Sequence, residues 1–225
     1  MSYKYFKHHY IKIYKNFFQK KKGLVFPNRS DEFFAVTNKI SLNDHIEIQK
    51  KLESKFEIKV AMSIGSAISP FDANVLASND KKSKKFLNEK YSIYGSMNGQ
   101  LEQNVTIMHL DVDSLTKKRQ MISPYETSSL MFKLYSKMSD FFIEKKSLAF
   151  FMGGDNFMVI SNSDHKENAQ KFIDMIKQEM NLFLNCGIGS GVTARDAAKF
   201  ATQSLDTIRE IRDSGKEKPE VYELK

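Results

Sequence analysis

Apolar residues fall into short runs of strand length, separated by stretches with helical spacing, and these two patterns predict the elements. In the second half, Val105, Ile107, Met108 and Leu110 predict a strand over 104–111, followed by a helix from about 125 to 144. Phe150-Phe151-Met152 and Phe157-Met158-Val159-Ile160 flank Gly153-Gly154-Asp155-Asn156, which predicts a hairpin with strands near 147–152 and 156–161. Phe172, Ile173, Ile176 and Met180 predict a helix over 166–180, and a strand over 182–188 runs into the glycine-rich stretch 187–191. Thr193 offers an N-cap to a helix over 194–213 with Asp196 in its first turn, and 221–224 predicts a last short strand. The first half predicts a helix over 3–20, strands near 23–27 and 32–37, a helix over 42–55, a strand over 57–64 and a helix over 71–90.

The same pattern occurs twice. An offset of 124 positions carries Asp31 onto Asp155, Ile64-Gly65-Ser66 onto Ile188-Gly189-Ser190 and Asp72-Ala73 onto Asp196-Ala197, without a gap. Phe6, Tyr10, Tyr14, Phe17 and Phe18 fall on Leu130, Leu134, Met138, Phe141 and Phe142. A match across turn, strand and helix positions indicates a tandem duplication, which sets the whole fold reading. The fold class expected is α+β: two tandem ferredoxin-like, palm-like units of order βαββαβ, with helices on one face of each antiparallel sheet. The units are expected at 1–94 and 103–225, joined by a linker at 95–102 rich in Gly, Ser and Asn. The counterpart of strand 104–111 would precede Met1, so the N-terminal unit is expected to lack its first strand and its chemistry. An edge left so is expected to be covered by self-association.

Composition narrows the class. The 225 residues suit two small domains, and a hydrophobic content of 41% with mean hydropathy −0.46 is that of a soluble protein. No apolar run reaches membrane-span length. The single Cys186 excludes an intrachain disulfide and fits a cytoplasmic location, as a buried core thiol. The net charge of +8 is concentrated partly in residues 1–22, where seven lysines meet no acid. The repeat makes this segment the first helix of a unit with a solvated lysine face, in preference to a membrane-surface helix. Lys81-Lys82, Lys84-Lys85 and Lys117-Lys118-Arg119 would attract anions in general, without marking a nucleic-acid site.

The candidate chemistry lies in the second unit. Asp111 ends one strand and Asp155 tips the hairpin, so pairing of the two strands would bring both to one sheet edge. Carboxylates so placed suit Mg²⁺, a hard cation that takes oxygen ligands and usually shares them with phosphates. Gly153 and Gly154 leave room for a nucleotide to approach the backbone. Gly189, Ser190 and Gly191, with Thr193 at the start of the next helix, form a candidate anion site, unless those glycines serve only close helix packing. Arg209 or Lys216 would reach the phosphates. His109 or Asp113 would activate water; the residues leave that choice open.

In combination, His109-Leu110-Asp111-Val112-Asp113, Gly153-Gly154-Asp155-Asn156-Phe157 and the run Gly-Ile-Gly-Ser-Gly-Val-Thr-Ala-Arg-Asp-Ala from Gly187 to Ala197 resemble the archaeal GTP cyclohydrolase III (IIa) family. Its members carry two tandem units related to the palm of GGDEF and nucleotide cyclases. The likeness also covers Lys22-Gly23-Leu24-Val25-Phe26 and Ala35-Val36-Thr37-Asn38 in the first half. It implies a Mg²⁺-dependent enzyme that opens the imidazole ring of GTP, keeps the formyl group and releases two phosphates. It also implies a role in riboflavin or deazaflavin cofactor biosynthesis. By position, Asp111 and Asp155 match the metal-binding carboxylates and Val112 lends a carbonyl. Gly153, Gly154 and Asn156 line the nucleotide, and Asp113, a further candidate metal ligand, stands with Ser114 where amides are common. Two rivals stand beside this reading: another palm-type nucleotide cyclase, disfavoured by Asn156 after the Gly-Gly-Asp, and a non-enzymatic RNA-binding pair of ferredoxin-like modules, disfavoured by an acid at the hairpin turn.

Overall fold

The computed structural model describes residues 17–29, 31–97, 104–113, 122–161 and 164–224. It divides into two compact units, one of Met1–Gln103 with Thr193–Arg195 and one of Asn104–Val192 with Asp196–Lys225. Of the expected helix over 3–20, residues 17–20 are described and helical. Positions 98–103, Ser114 and the cluster Lys117-Lys118-Arg119 lie outside the described residues.

In the first unit, β1 (Leu24–Pro27) and β2 (Phe33–Val36) form an antiparallel two-stranded sheet. Helix α1 (Leu42–Phe56) starts on a reciprocal cap: the Ser41 hydroxyl accepts from the Asp44 N–H, and the Asp44 carboxylate accepts from the Ser41 N–H. Its apolar face buries Ile48 and Leu52 in one core with Phe18, Val25 and Ile40. Then come β3 (Met62–Ile64), α2 (Pro70–Lys82), β4 (Phe86–Asn88) and β5 (Ile93–Gly95), the strands forming a sheet of order β3-β5-β4. The helix expected over 71–90 therefore ends eight residues early. Lys84 takes a left-handed φ of 55° and turns the chain back, so that Phe86 stacks on Tyr94 at 4.6 Å and Ile93 becomes fully buried. Gly95, expected in the linker, belongs to β5, where a Cβ would come within 2.0 Å of the Ile64 carbonyl oxygen.

The second unit runs β6 (Val105–Val112), α3 (Pro124–Glu144), β7 (Leu148–Gly153), β8 (Asn156–Ser161), α4 (His165–Met180), β9 (Leu184–Gly191), α5 (Ala194–Asp213) and β10 (Val221–Leu224). The five strands lie in the order β10-β9-β6-β8-β7. β6 is central and antiparallel to both neighbours, and β10 joins β9 in parallel. The period-two alternation of β6 sorts its side chains between the faces. Met108, Leu110 and Val112 join Met131, Leu134 and Phe142 of α3 and Phe172 and Ile176 of α4 in one core. The alternate residues His109 and Asp111 bond instead to Thr202 and Arg209 of α5. Helices thus cover both faces of this sheet, where one face was expected. Gly187 and Gly189 make that possible, because a Cβ at either would stand 2.2 Å from backbone atoms of Ala201. Cys186 is fully buried, and burial pushes its thiol up.

The repeat shows in the registers. Met62 pairs with Ile93 as its counterpart Cys186 pairs with Val221, parallel in both cases. β8 and β9 share β6 as a neighbour, whereas their counterparts β2 and β3 lie in separate sheets. That separation accounts for β3 spanning only Met62–Ile64 instead of 57–64: its ladder has one partner, β5. Among the described residues, no helix is long and apolar enough to cross a membrane.

Candidate active site

The site forms where the C-terminal end of β6 meets the β7–β8 turn. Asp111 lies opposite Asn156 in the β6–β8 register and opposite Asn185 in the β6–β9 register. The turn needs its glycines: Gly153 has φ +102° and Gly154 φ +66°. A Cβ at Gly153 would meet nothing within 4 Å, so the space over the turn is open.

The turn is held by a directional relay. The Asn156 amide donates through Nδ2 to Asp155 Oδ1 at 2.9 Å, which leaves its Oδ1 to accept from His109 Nε2 at 3.1 Å. His109 therefore carries its proton on Nε2, and Nδ1 accepts from the Thr202 hydroxyl at 3.1 Å. Burial lowers the His109 pKa, which the Asn156 bond only partly offsets, so the ring is neutral. Of the two candidates for activating water, His109 or Asp113, the first has both ring nitrogens hydrogen-bonded in this structure and orients the Asp155 turn through Asn156.

Asp111 is 5% exposed. Its Oδ1 accepts from Asn185 Nδ2 at 3.0 Å, and its Oδ2 accepts from Arg209 Nε at 3.2 Å and Nη2 at 2.7 Å. Arg209, a candidate for reaching the phosphates, here holds the Asp111 carboxylate. Asp113 takes a bond from Arg212 at 3.2 Å and from Lys218 at 3.1 Å. Burial raises the pKa of Asp113, but the Lys218 hydrogen bond and charge, with Arg212, outweigh it and hold the carboxyl below its ordinary range. Lys218 also donates to Asn185, tying both acids into one network. The sequence reading missed Asn185, Thr202, Arg212 and Lys218. Thr202 and Arg209 are two helical turns apart, a spacing that could have flagged the first; nothing in the α5–β10 loop singled out Lys218.

Three expected ligand contacts lie elsewhere. Gly191 pairs with Val105 and Ser190 with Thr106, at the opposite end of β6 from Asp111. Six residues of strand separate the two ends, about 20 Å. Ser190 shares a hydrogen bond with the Thr106 hydroxyl at 2.8 Å, and Gly189 lies against the α5 backbone. Thr193 is buried beside them in sequence. Gly187 and Gly189 pack against the α5 backbone, the alternative weighed for the glycine run, and Gly189, Ser190 and Thr193 stand away from the Asp111 end of β6. Lys216 is exposed.

Among the described residues, no three of His, Cys, Asp and Glu converge on a point. The donor set fits Mg²⁺, which is commonly held by one or two carboxylates and completed by phosphates and water. Asp111 Oδ1 keeps a lone pair beyond its one bond from Asn185, Asp155 stands partly exposed at the open turn, and the Val112 carbonyl ends the strand between them and Asp113. A divalent ion at Asp111 would compete with Arg209 for the same carboxylate.

The GTP cyclohydrolase III family profile matches residues 9–221. The GTP cyclohydrolase III of Methanothermobacter thermautotrophicus is 34% identical over 198 residues, covering 85% of this chain and 78% of that protein. The protein of the same name from Methanobrevibacter smithii is 32% identical over 204 residues, 88% of this chain and 80% of that protein. Among solved structures, the active GGEEF domain of a diguanylate cyclase from Vibrio cholerae aligns with a TM-score of 0.41 and 18% identity, over 49% of this chain and 79% of that one. That score carries no inference about chemistry.

Proposed function

The chain belongs to the GTP cyclohydrolase III family, and from that premise we propose that its C-terminal unit opens the imidazole ring of GTP by hydrolysis, with Mg²⁺. Water adds across the bond between carbon 8 and N7, placing its oxygen on carbon 8 and one proton on N7; the bond from carbon 8 to N9 then breaks as the second proton passes to N9. The formyl group stays on N7. Hydrolysis of both phosphoanhydride bonds releases two inorganic phosphates. The product is 2-amino-5-formylamino-6-ribosylamino-pyrimidinone 5'-monophosphate.

The observation that carries this reading is the placement of Asp111 beside the Asp155 turn, with open space over Gly153. Mg²⁺ held by Asp111, Asp155 and the Val112 carbonyl would neutralise phosphate charge and make a bound water more acidic. The protein's own part is positioning and charge. His109 and Asn156 fix the Asp155 carboxylate, and Gly153 and Gly154 let the triphosphate approach the backbone. Arg209 presents a planar fork of N–H donors matched to phosphate oxygens as well as to Asp111. Arg212 and Lys218 add two cations at the same end of the sheet.

The test is incubation of the protein with GTP and Mg²⁺, following phosphate release and purine absorbance together. The expected outcome is two phosphates per GTP and loss of the purine band. A cyclic nucleotide by mass, or phosphate release with the purine intact, would overturn the proposal in favour of a cyclase or a simple phosphatase.

A further inference from the structure

Both carboxylates of the site are held by an asparagine amide, and both amides are held from behind. Asn156 turns its Nδ2 to Asp155 because its Oδ1 accepts from His109. Asn185, fully buried in β9, is arranged in the same sense. Its Nδ2 donates to Asp111 Oδ1 at 3.0 Å, and its Oδ1 accepts from Lys218 Nζ at 2.5 Å. The two ends of an asparagine amide have nearly the same shape, so the groups around it decide which end faces which way. An ammonium has three donors and no acceptor. With Lys218 in place, the turned amide would set its NH₂ against that cation and its oxygen against the Asp111 carboxylate. The cation therefore admits one orientation, the one that bonds Asp111.

Lys218 is itself pinned. Its ammonium also meets Asp113 Oδ2 at 3.1 Å, and its side chain is only 18% exposed. Pro219 follows it with a fixed φ, and Glu220 then fastens the chain. The Glu220 carbonyl accepts from the Cys186 N–H at 2.8 Å, and its Oε2 accepts from Gln170 of α4 at 3.0 Å. Lys177 of α4 stands 3.6 Å from its Oε1. The pairing of Val221 with Cys186 continues this register into β10, so the ammonium is delivered to Asn185 by the edge of the sheet itself.

We propose that Lys218 is a positioning residue for the metal ligand Asp111: it orients the Asn185 amide, and that amide fixes the carboxylate that would hold Mg²⁺. The inference rests on the Mg²⁺-dependent reading above and gives Lys218 a role other than offering charge to phosphate. The two roles differ in sign. A cation that only adds charge beside a metal ligand repels the metal, so removing it tightens metal binding. A cation that orients the partner of a ligand strengthens metal binding, and removing it weakens the site.

The experiment is Mn²⁺ binding to the whole protein without nucleotide, read from the free-ion signal in electron paramagnetic resonance. Wild type is compared with Lys218→Met and Lys218→Arg, each confirmed folded by its urea midpoint. Lys218→Met keeps the apolar stem and removes the donors. It is expected to weaken Mn²⁺ binding about tenfold, the lower end for losing a group behind a metal ligand. Lys218→Arg still donates to Asn185 and is expected to restore most of that loss. Mn²⁺ held as tightly or more tightly by Lys218→Met would overturn the relay, and so would wild type that holds no Mn²⁺. The readout is independent of turnover: Mn²⁺ binding in the expected pattern by a protein that leaves GTP intact would overturn the GTP reading and keep the relay.

Discussion

His109 donates from one nitrogen and accepts at the other, so a second proton can enter only by breaking its bond from Thr202. Its pKa in the folded chain lies below the ordinary 6.5, chiefly through burial, and burial lowers that of His45 in α1 in the same way. Between the folded and unfolded values the unfolded chain binds the proton and the folded one does not. Stability is therefore unaffected by these groups above pH 6.5 and is lost as pH falls from there through the folded pKa. A urea midpoint lower at about pH 5 than at about pH 7.5 is expected, with a smaller difference in His109→Gln, which can keep both hydrogen bonds without titrating. An equal drop in that variant would contradict the assignment. The sequence placed His109 on the face opposite Leu110. It could not show that α5 lies over that face and supplies Thr202, and so it left open whether His109 or Asp113 activates water.

The elements most legible in the chain were those whose own pattern decides them. The β7–β8 hairpin follows from two apolar runs around Gly-Gly-Asp-Asn, and α5 spans the 194–213 expected after Thr193. β4 and β5 were not legible, because α2 buries no side chain that would mark where its helical pattern stops. The glycines of β9 were legible as glycines but not as to purpose. A Cβ at Gly189 would lie 2.2 Å from Ala201 N and 2.5 Å from the Ala197 carbonyl, both backbone atoms that cannot swing aside. Gly189→Ala is thus expected to lower the unfolding free energy by about 3 kcal/mol or more, the upper range for overpacking, measured by urea titration. Wild-type stability in that variant would show that α5 does not rest on β9.

Across the whole molecule, the repeat was the strongest signal in the sequence, and β1, β2, α1, β3 and α2 recur as β7, β8, α4, β9 and the first part of α5 at the same offset. The two carboxylates at one sheet edge were also readable, because register between two strongly apolar strands fixes what stands at their ends. The cations that hold those acids were not, since Arg209, Arg212 and Lys218 reach them from more than ninety residues away. Duplication supplies its own control for the central claim, that GTP chemistry belongs to the Asp111 and Asp155 site of the second unit. Asp155 has a counterpart, Asp31, in a β1–β2 hairpin that, among the described residues, shares no sheet with a strand like β6. The most direct measurement is phosphate release from GTP at saturating Mg²⁺ by Asp155→Asn and Asp31→Asn, each confirmed folded by its urea midpoint. The account predicts that Asp155→Asn abolishes release while Asp31→Asn retains most of it. Normal turnover by Asp155→Asn, or an equal loss in Asp31→Asn, would contradict it.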